Sequence, residues 1–181
     1  WRLGVGPGCA FAAMPLIAMF MKAEMEGVEK IIFPEEDSWK VDIQQSGGTE
    51  IREGVTIDPT NEEDIPNSKG TANFLIKWDG AKAPSSISMV TPSRSTPLKD
   101  KEVKDKVLHQ YSEGGTLQPV GIFDCRGAEP VKWYPLGLVV ETSFGRFENV
   151  DLSDPDGWME CSENGDTATI SEVQFEFRVV K

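Results

Sequence analysis

Few side chains in this sequence have the types that do chemistry. There are three cysteines, Cys9, Cys125 and Cys161, and one histidine, His109. A closed zinc site needs four Cys or His ligands, usually in close pairs that bring two thiolates to one ion. No two of these four residues are close in sequence, which argues against such a site. Asp151, Asp154 and Asp156 before Gly157 resemble a calcium loop only superficially. An EF-hand alternates its oxygen ligands, ends on Glu at the twelfth position and lies between helices; this segment reads instead as a solvated turn. Nucleophilic catalysis needs a nucleophile and an oriented base. Cys125 stands beside Arg126, and a neighbouring guanidinium can lower a thiol pKa, so Cys125 is the candidate reactive thiol. The competing reading of Cys125 is a partly buried structural residue. Arg126 and Glu129 are expected to close their own turn by a charge-assisted hydrogen bond. Gly4-x-Gly6-x-Gly8 follows no strand and precedes no helix, so it is rejected as a phosphate loop. Spacing picks out no pair of carboxylates. The expectation is a protein that is not an enzyme and holds no cofactor.

The same neighbourhood carries a candidate contact surface. Phe123 to Pro135 contains Cys125, the Arg126-Gly127 turn, a Glu129-Pro130 step and adjacent Trp133 and Tyr134. It follows the apolar run Val120–Phe123 and precedes Leu136–Val140, so it reads as a strand–turn–strand joint. Neighbours in a strand face opposite sides, so at most one of Trp133 and Tyr134 points into a given core. Tyr and Trp are enriched at interfaces. Glu129, Pro130, Lys132, Trp133 and Tyr134 are therefore the expected interaction residues.

The composition limits the partners. The chain has 181 residues, 39% hydrophobic, with a net charge of −12 and a pI near 4.5. A nucleic-acid surface needs clustered Lys and Arg, so none is expected. A charged protein partner would be a basic one. No apolar run reaches the roughly 20 residues of a membrane span. Three widely spaced cysteines and no N-x-Ser/Thr sequon suggest free thiols in a reducing compartment, hence an intracellular, cytoplasmic setting, or an organellar one if residues 1–13 remain from a processed leader. The acidity is concentrated in residues 1–69 and 126–181. The lysines of Leu98–Lys106 alternate with acids and read as a solvated loop or short helix.

The elements that position these residues are strands. Met19, Met21, Ala23 and Met25 alternate with Phe20, Lys22, Glu24 and Glu26; Trp39, Val41 and Ile43 alternate with polar neighbours, as do Val173, Phe175, Phe177 and Val179. A period of two puts one face on a core and the other in water. Ile51–Ile57, Ala72–Trp78, Ile87–Thr91, Gln118–Phe123 and Leu138–Glu141 are also β-rich and bounded by turn residues. Ser46-Gly47-Gly48-Thr49, Asp79-Gly80 and Asn164-Gly165-Asp166 mark turns. Asp58–Lys69 reads as a loop, and only residues 99–111 could hold a short helix. About eight strands give an all-β protein of two packed antiparallel sheets or two small β halves, with little helix. Residues 1–13 look foreign to it: the chain opens on Trp1, Met14 could be the start, and Cys9–Met21 has the length of a signal h-region. A leader or non-native extension over 1–13 is expected, then one domain over 14–181. That domain divides, if at all, into 14–97 and 112–181, joined by the lysine-rich 98–111.

Several motifs in shared order carry a resemblance. Phe123-Asp124-Cys125-Arg126-Gly127 with Glu129-Pro130-Val131 is the best match. Phe147-Glu148-Asn149-Val150-Asp151-Leu152, Lys69–Lys77 and Met21–Val28 follow the same pattern. Over residues 16–180 the chain resembles the eukaryotic CXXC-motif-containing zinc-binding proteins. The resemblance implies an elongated all-β protein with one zinc held by four cysteines and no established enzymatic activity. The ligand positions would fall at Gln45, Gly48, Trp78 and Ala81, none of them cysteine. That implies a divergent member with both hairpin knuckles kept and the zinc site lost. The family's indirect association with a copper chaperone then has no metal site to rest on. A structural zinc supplies on the order of 10 kcal/mol of folding energy, and burial of one large side chain roughly 2–3 kcal/mol. Trp78 is expected to pack across the two knuckles and replace part of the ion's contribution. The expected function is a non-catalytic protein-interaction module or accessory subunit of a larger assembly. The alternative is a thiol-based redox or metal-handling protein using Cys125.

Overall fold

The structure, a computed structural model, describes residues 16–91, 98–100, 103 and 108–181. The expected leader at 1–13 lies outside them. In chain order the strands are β1 (Leu16–Glu26), β2 (Val28–Ile32), β3 (Trp39–Gln45), β4 (Ile51–Ile57), β5 (Glu63–Asp64), β6 (Thr71–Ala72), β7 (Phe74–Ile76), β8 (Ser85–Met89), β9 (Gln110–Tyr111), β10 (Gln118–Arg126), β11 (Ala128–Tyr134), β12 (Leu138–Thr142), β13 (Gly145–Val150), β14 (Trp158–Cys161) and β15 (Thr167–Val180). Among the described residues there is no helix, and the protein is all-β. The three turn signals each join paired strands: β3 to β4, β7 to β8 and β14 to β15. Asp58–Lys69 is not wholly loop, because β5 within it pairs with β6.

The pairing is antiparallel throughout. The largest sheet runs β14-β15-β1-β10-β8-β7, a second β13-β12-β2-β9, a third β11-β3-β4, and β5-β6 form a small ladder. Each of the three larger sheets mixes strands from before and after residues 98–111: β1 with β10 and β15, β2 with β12, β3 with β11. The segments 14–97 and 112–181 are thus interleaved and do not form separate sheets.

The central strands β1 and β10 are covered on both faces. Ile17, Met19 and Met21 enter the main core with Phe123 and Cys125. On the opposite face Ala18, Phe20, Ile122 and Val180 pack with Leu98 and Val103. Sheet strands buried on both faces read as near-continuous apolar runs. The Cys9–Met21 run that resembles an h-region therefore includes, from Leu16 on, the start of a central strand. The lysine-rich segment is not simply a solvated loop, since Leu98 and Val103 are buried and the Asp100 N–H donates to the Lys181 carbonyl at 2.7 Å. Of the helix expected at 99–111, residues 101–102 and 104–107 lie outside the described residues, and its end is strand β9.

Where the β1–β15 register shifts between Lys22 and Glu24, a buried tyrosine repairs the backbone. The Tyr111 hydroxyl accepts from the Ala23 N–H and donates to the Ala23 carbonyl, both at 3.0 Å. A buried, unpaired backbone group costs about as much as a lost hydrogen bond.

β10 leaves the large sheet at Gly127 and continues as β11 in another sheet. Gly127 has φ +76°, and a Cβ there would lie 2.5 Å from Ser85 Oγ. Only glycine meets both demands without strain. Gly127→Ala should destabilise the fold by about 1–3 kcal/mol; urea unfolding measures this, and an unchanged midpoint would contradict the corner's role.

Candidate functional site

The positions that the resemblance implies as ligand positions form two matching turns. In Gln45–Gly48 the Gly48 N–H donates to the Gln45 carbonyl at 2.9 Å, and in Trp78–Ala81 the Ala81 N–H donates to the Trp78 carbonyl at 3.1 Å. The third residue of each turn is a glycine with positive φ, Gly47 at +72° and Gly80 at +70°. Glu50 and Arg52 beyond the first turn, with Lys77–Ala81 of the second, line one open depression. Trp78 is 2% exposed, and its indole N–H donates to Ser85 Oγ at 3.0 Å. Ser85 in turn packs on Gly127, whose carbonyl accepts from the Ser46 N–H of the first turn at 3.1 Å. Both turns are thus tied to one corner by Trp78, Ser85 and Gly127.

Cys125 is 2% exposed and sits in the main core. Burial pushes its thiol well above the ordinary range, and the Asp124 and Glu129 carboxylates push it further. Arg126 does not activate it, nor does it pair with Glu129 as expected: its guanidinium donates to Asp124 Oδ2 at 3.2 Å. Cys161 is an exposed free thiol. His109 has φ +61°, and both of its ring nitrogens are buried without a hydrogen-bond partner among the described residues.

The expected contact stretch is divided by its strand. Ala128, Pro130 and Trp133 face inward, while Glu129 and Tyr134 are half-buried and Val131 and Lys132 exposed. Pro130 and Trp133 can share a face because the register with β3 shifts between Pro130 and Lys132, which makes Val131 a bulge. Trp133 is corrected from contact residue to core: it is 3% exposed and packs against Phe33, Trp39 and Phe175 at centroid distances of 5.5, 6.1 and 6.0 Å. Tyr134 stays on the surface. Its hydroxyl donates to Asp42 Oδ1 at 2.9 Å, and the Lys40 and Lys132 ammonium groups lie 5.2 and 4.6 Å from its ring centroid, a cation–π arrangement.

The comparisons with known proteins agree with this architecture. The family model of the CXXC motif containing zinc binding protein, eukaryotic, matches residues 18–178. The chain belongs to this family. A UPF0587 protein of Schizosaccharomyces pombe is 26% identical over 174 residues, 93% of this chain and 99% of that one. Another, from Caenorhabditis elegans, is 23% identical over 176 residues, 93% and 97% of the two chains. A solved structure of a hypothetical protein from Plasmodium falciparum superposes with TM-score 0.75 and 27% identity, covering 90% of this chain and 99% of that one.

The family name implies zinc, and the side chains at the two turns do not fit it. Gly48 and Ala81 offer no donor atom, and the Trp78 N–H is committed to Ser85. Gln45 could offer one neutral amide oxygen, which is far short of the four Cys or His ligands of a closed zinc site. Among the described residues no cluster of three or more His, Cys, Asp or Glu could hold a metal ion.

Sequence reasoning missed Ser85, Asp42 and the bulge at Val131. Asp42 is buried and accepts from the Gly54 N–H at 2.7 Å as well as from Tyr134. The alternation of Trp39–Ile43 placed it on a wet face, and nothing local marks it as a partner of a tyrosine 92 positions away.

Two measurements follow from these environments. At mildly alkaline pH iodoacetamide should modify Cys161 readily and Cys125 only as fast as the fold opens; peptide mapping reads this, and rapid modification of Cys125 would contradict its burial. Desolvation holds the pKa of His109 below its usual 6.5. The unfolded chain therefore takes up this proton first as pH falls. Stability should drop as pH falls below 6.5 until the folded-state pKa is reached, and His109→Gln should flatten that slope in urea titrations across the window.

Proposed function

We propose that this protein is a non-catalytic interaction module of the CXXC zinc-binding family, metal-free at the family's zinc position, that serves as an accessory subunit of a larger assembly. The observation that carries the reading is the Trp78–Ser85–Gly127–Ser46 linkage. It ties both turns to the sheet corner with an indole, a hydroxyl and backbone groups where the family would use an ion. Two groups that catalysis could use are enclosed: the Cys125 thiol and the His109 ring nitrogens are buried. The raised Cys125 pKa also removes support from the thiol alternative.

The proposed contact surface is Glu129, Lys132 and Tyr134; Pro130, expected as a contact residue, is buried with Trp133 beneath it. The proposed partner is a protein. No helix among the described residues is long and apolar enough to cross a membrane. Free Cys125 and Cys161 are in keeping with an intracellular setting.

Elemental analysis of natively purified protein should find no stoichiometric zinc, and chelator should leave the melting temperature unchanged. Trp78→Ala should cost about 3–5 kcal/mol. One zinc per chain would sink the metal-free reading. Alanine substitutions at Glu129, Lys132 and Tyr134 should reduce recovery of the native partner in a pull-down; undiminished recovery from all three would sink the contact surface.

A further inference from the structure

Two strand edges lie open beside the contact stretch. β14 pairs only with Thr167–Ile170 of β15. Beyond it, among the described residues, Val173–Phe177 has β1 on one side and no strand on the other. β11 is likewise the outer strand of its sheet. Between the two strands runs an open groove of about 320 Å³, lined by Pro130 and Val131 of β11 and by Phe175, Phe177 and Val179 of β15, with Glu129 and Glu176 also on its wall. Val131 is 39% exposed and Val179 61%.

Three features of this groove specify an occupant. Unpaired backbone groups along a strand edge are a template for an added strand. The β11 edge is blunted, because Pro130 has no N–H and the bulge at Val131 breaks the ladder, both of which resist edge pairing. The β15 edge has no proline, and its own bulge, Glu172–Val173 opposite Ala23, lies at the start of the open stretch; from Gln174 to Phe177 the pairing with β1 is regular, so the added strand belongs to β15. Strand addition takes affinity from main-chain hydrogen bonds and specificity from alternate side chains; the side chains entering this groove would be apolar. The charge selects the rest. Glu176 is paired with Arg178, whereas Glu129 has no ion pair among the described residues, and the chain as a whole carries −12. A second copy would bring the same negative charge to the edge, which opposes self-pairing.

We infer that the Val173–Phe177 edge of β15 takes up an extended, basic segment of a partner protein as an added strand, its alternate apolar side chains filling the groove between β15 and β11. The inference rests on the interaction-module reading and gives its mode and partner chemistry. Glu129 meets a basic side chain of the added strand, and Val131 and Val179 meet apolar ones.

The probe is a fluorescein-labelled peptide of about eight residues, within ordinary strand length, alternating valine and lysine. Binding to the full chain is read by fluorescence anisotropy, and hydrogen exchange is followed at Val173–Phe177. The expected result is saturable binding that slows exchange there. Val131→Asp and Val179→Asp should each weaken it at least about tenfold, as at a buried interface anchor. Glu129→Gln should weaken it less. A peptide with alternate backbone amides methylated, and one with glutamate for lysine, should not bind. The methylated peptide tests strand addition on the unaltered protein, independently of how the variants fold. The inference is overturned by the absence of saturable binding, by equal binding of the methylated peptide, or by indifference to both valine substitutions. Binding that appears only after residues 1–15 are removed would overturn it in favour of the chain's own segment. A dimer in sedimentation that Val179→Asp dissolves would overturn it in favour of a second copy. If the native partner depends on Lys132 and Tyr134 but not on Val131 and Val179, the contact surface stands and the groove inference fails.

Discussion

The rest of the structure depends on the contact of Trp133 with Phe33, Trp39 and Phe175. These rings come from three sheets: Phe33 follows β2, Trp39 and Trp133 lie on β3 and β11, and Phe175 lies on β15. Phe123 of β10 meets Trp39 edge-on at 5.6 Å. Large aromatic rings bury much apolar area and favour tilted or edge contacts, so one cluster can hold residues from three sheets together. Trp133 reaches it only because β10 turns through Gly127 and because the bulge at Val131 resets the inward face. The same bulge pushes Val131 outward. One backbone irregularity therefore both closes the core and opens the groove.

The two turns at Gln45–Gly48 and Trp78–Ala81 keep a common backbone form without thiolates. A metal site is held by its ligands, whereas these turns are held from behind, through Ser46 to Gly127 and through Trp78 to Ser85. On the proposed reading, the family's zinc gives way to contacts that were already part of the sheet corner. Apolar burial of one indole is smaller than a structural zinc term, and the interleaved sheets provide the remaining stability through a core shared by both ends of the chain.

Period-two alternation exposed β3 and most of β15 because each keeps one polar face. It exposed β1 as well but misread the second face of that strand, where Ala18 and Phe20 are buried by Leu98 and Val180. Short edge strands such as β13 and β14 were not distinguished from turns. Trp78 was recognised as a core residue, and it is buried. Its partner Ser85 was not, since a lone serine carries no periodic signal.

Chain composition and pattern alone determined the all-β class, the family and the absence of cysteine from Gln45, Gly48, Trp78 and Ala81, because alternation and local motifs are properties of neighbours in sequence. Which of Trp133 and Tyr134 is buried, whether Cys125 is reactive, and where an open strand edge lies were decided only by tertiary structure. Burial, pKa and pairing depend on what distant segments bring alongside: Asp42 to Tyr134, Phe175 to Trp133, and no strand, among the described residues, to the far side of Val173–Phe177.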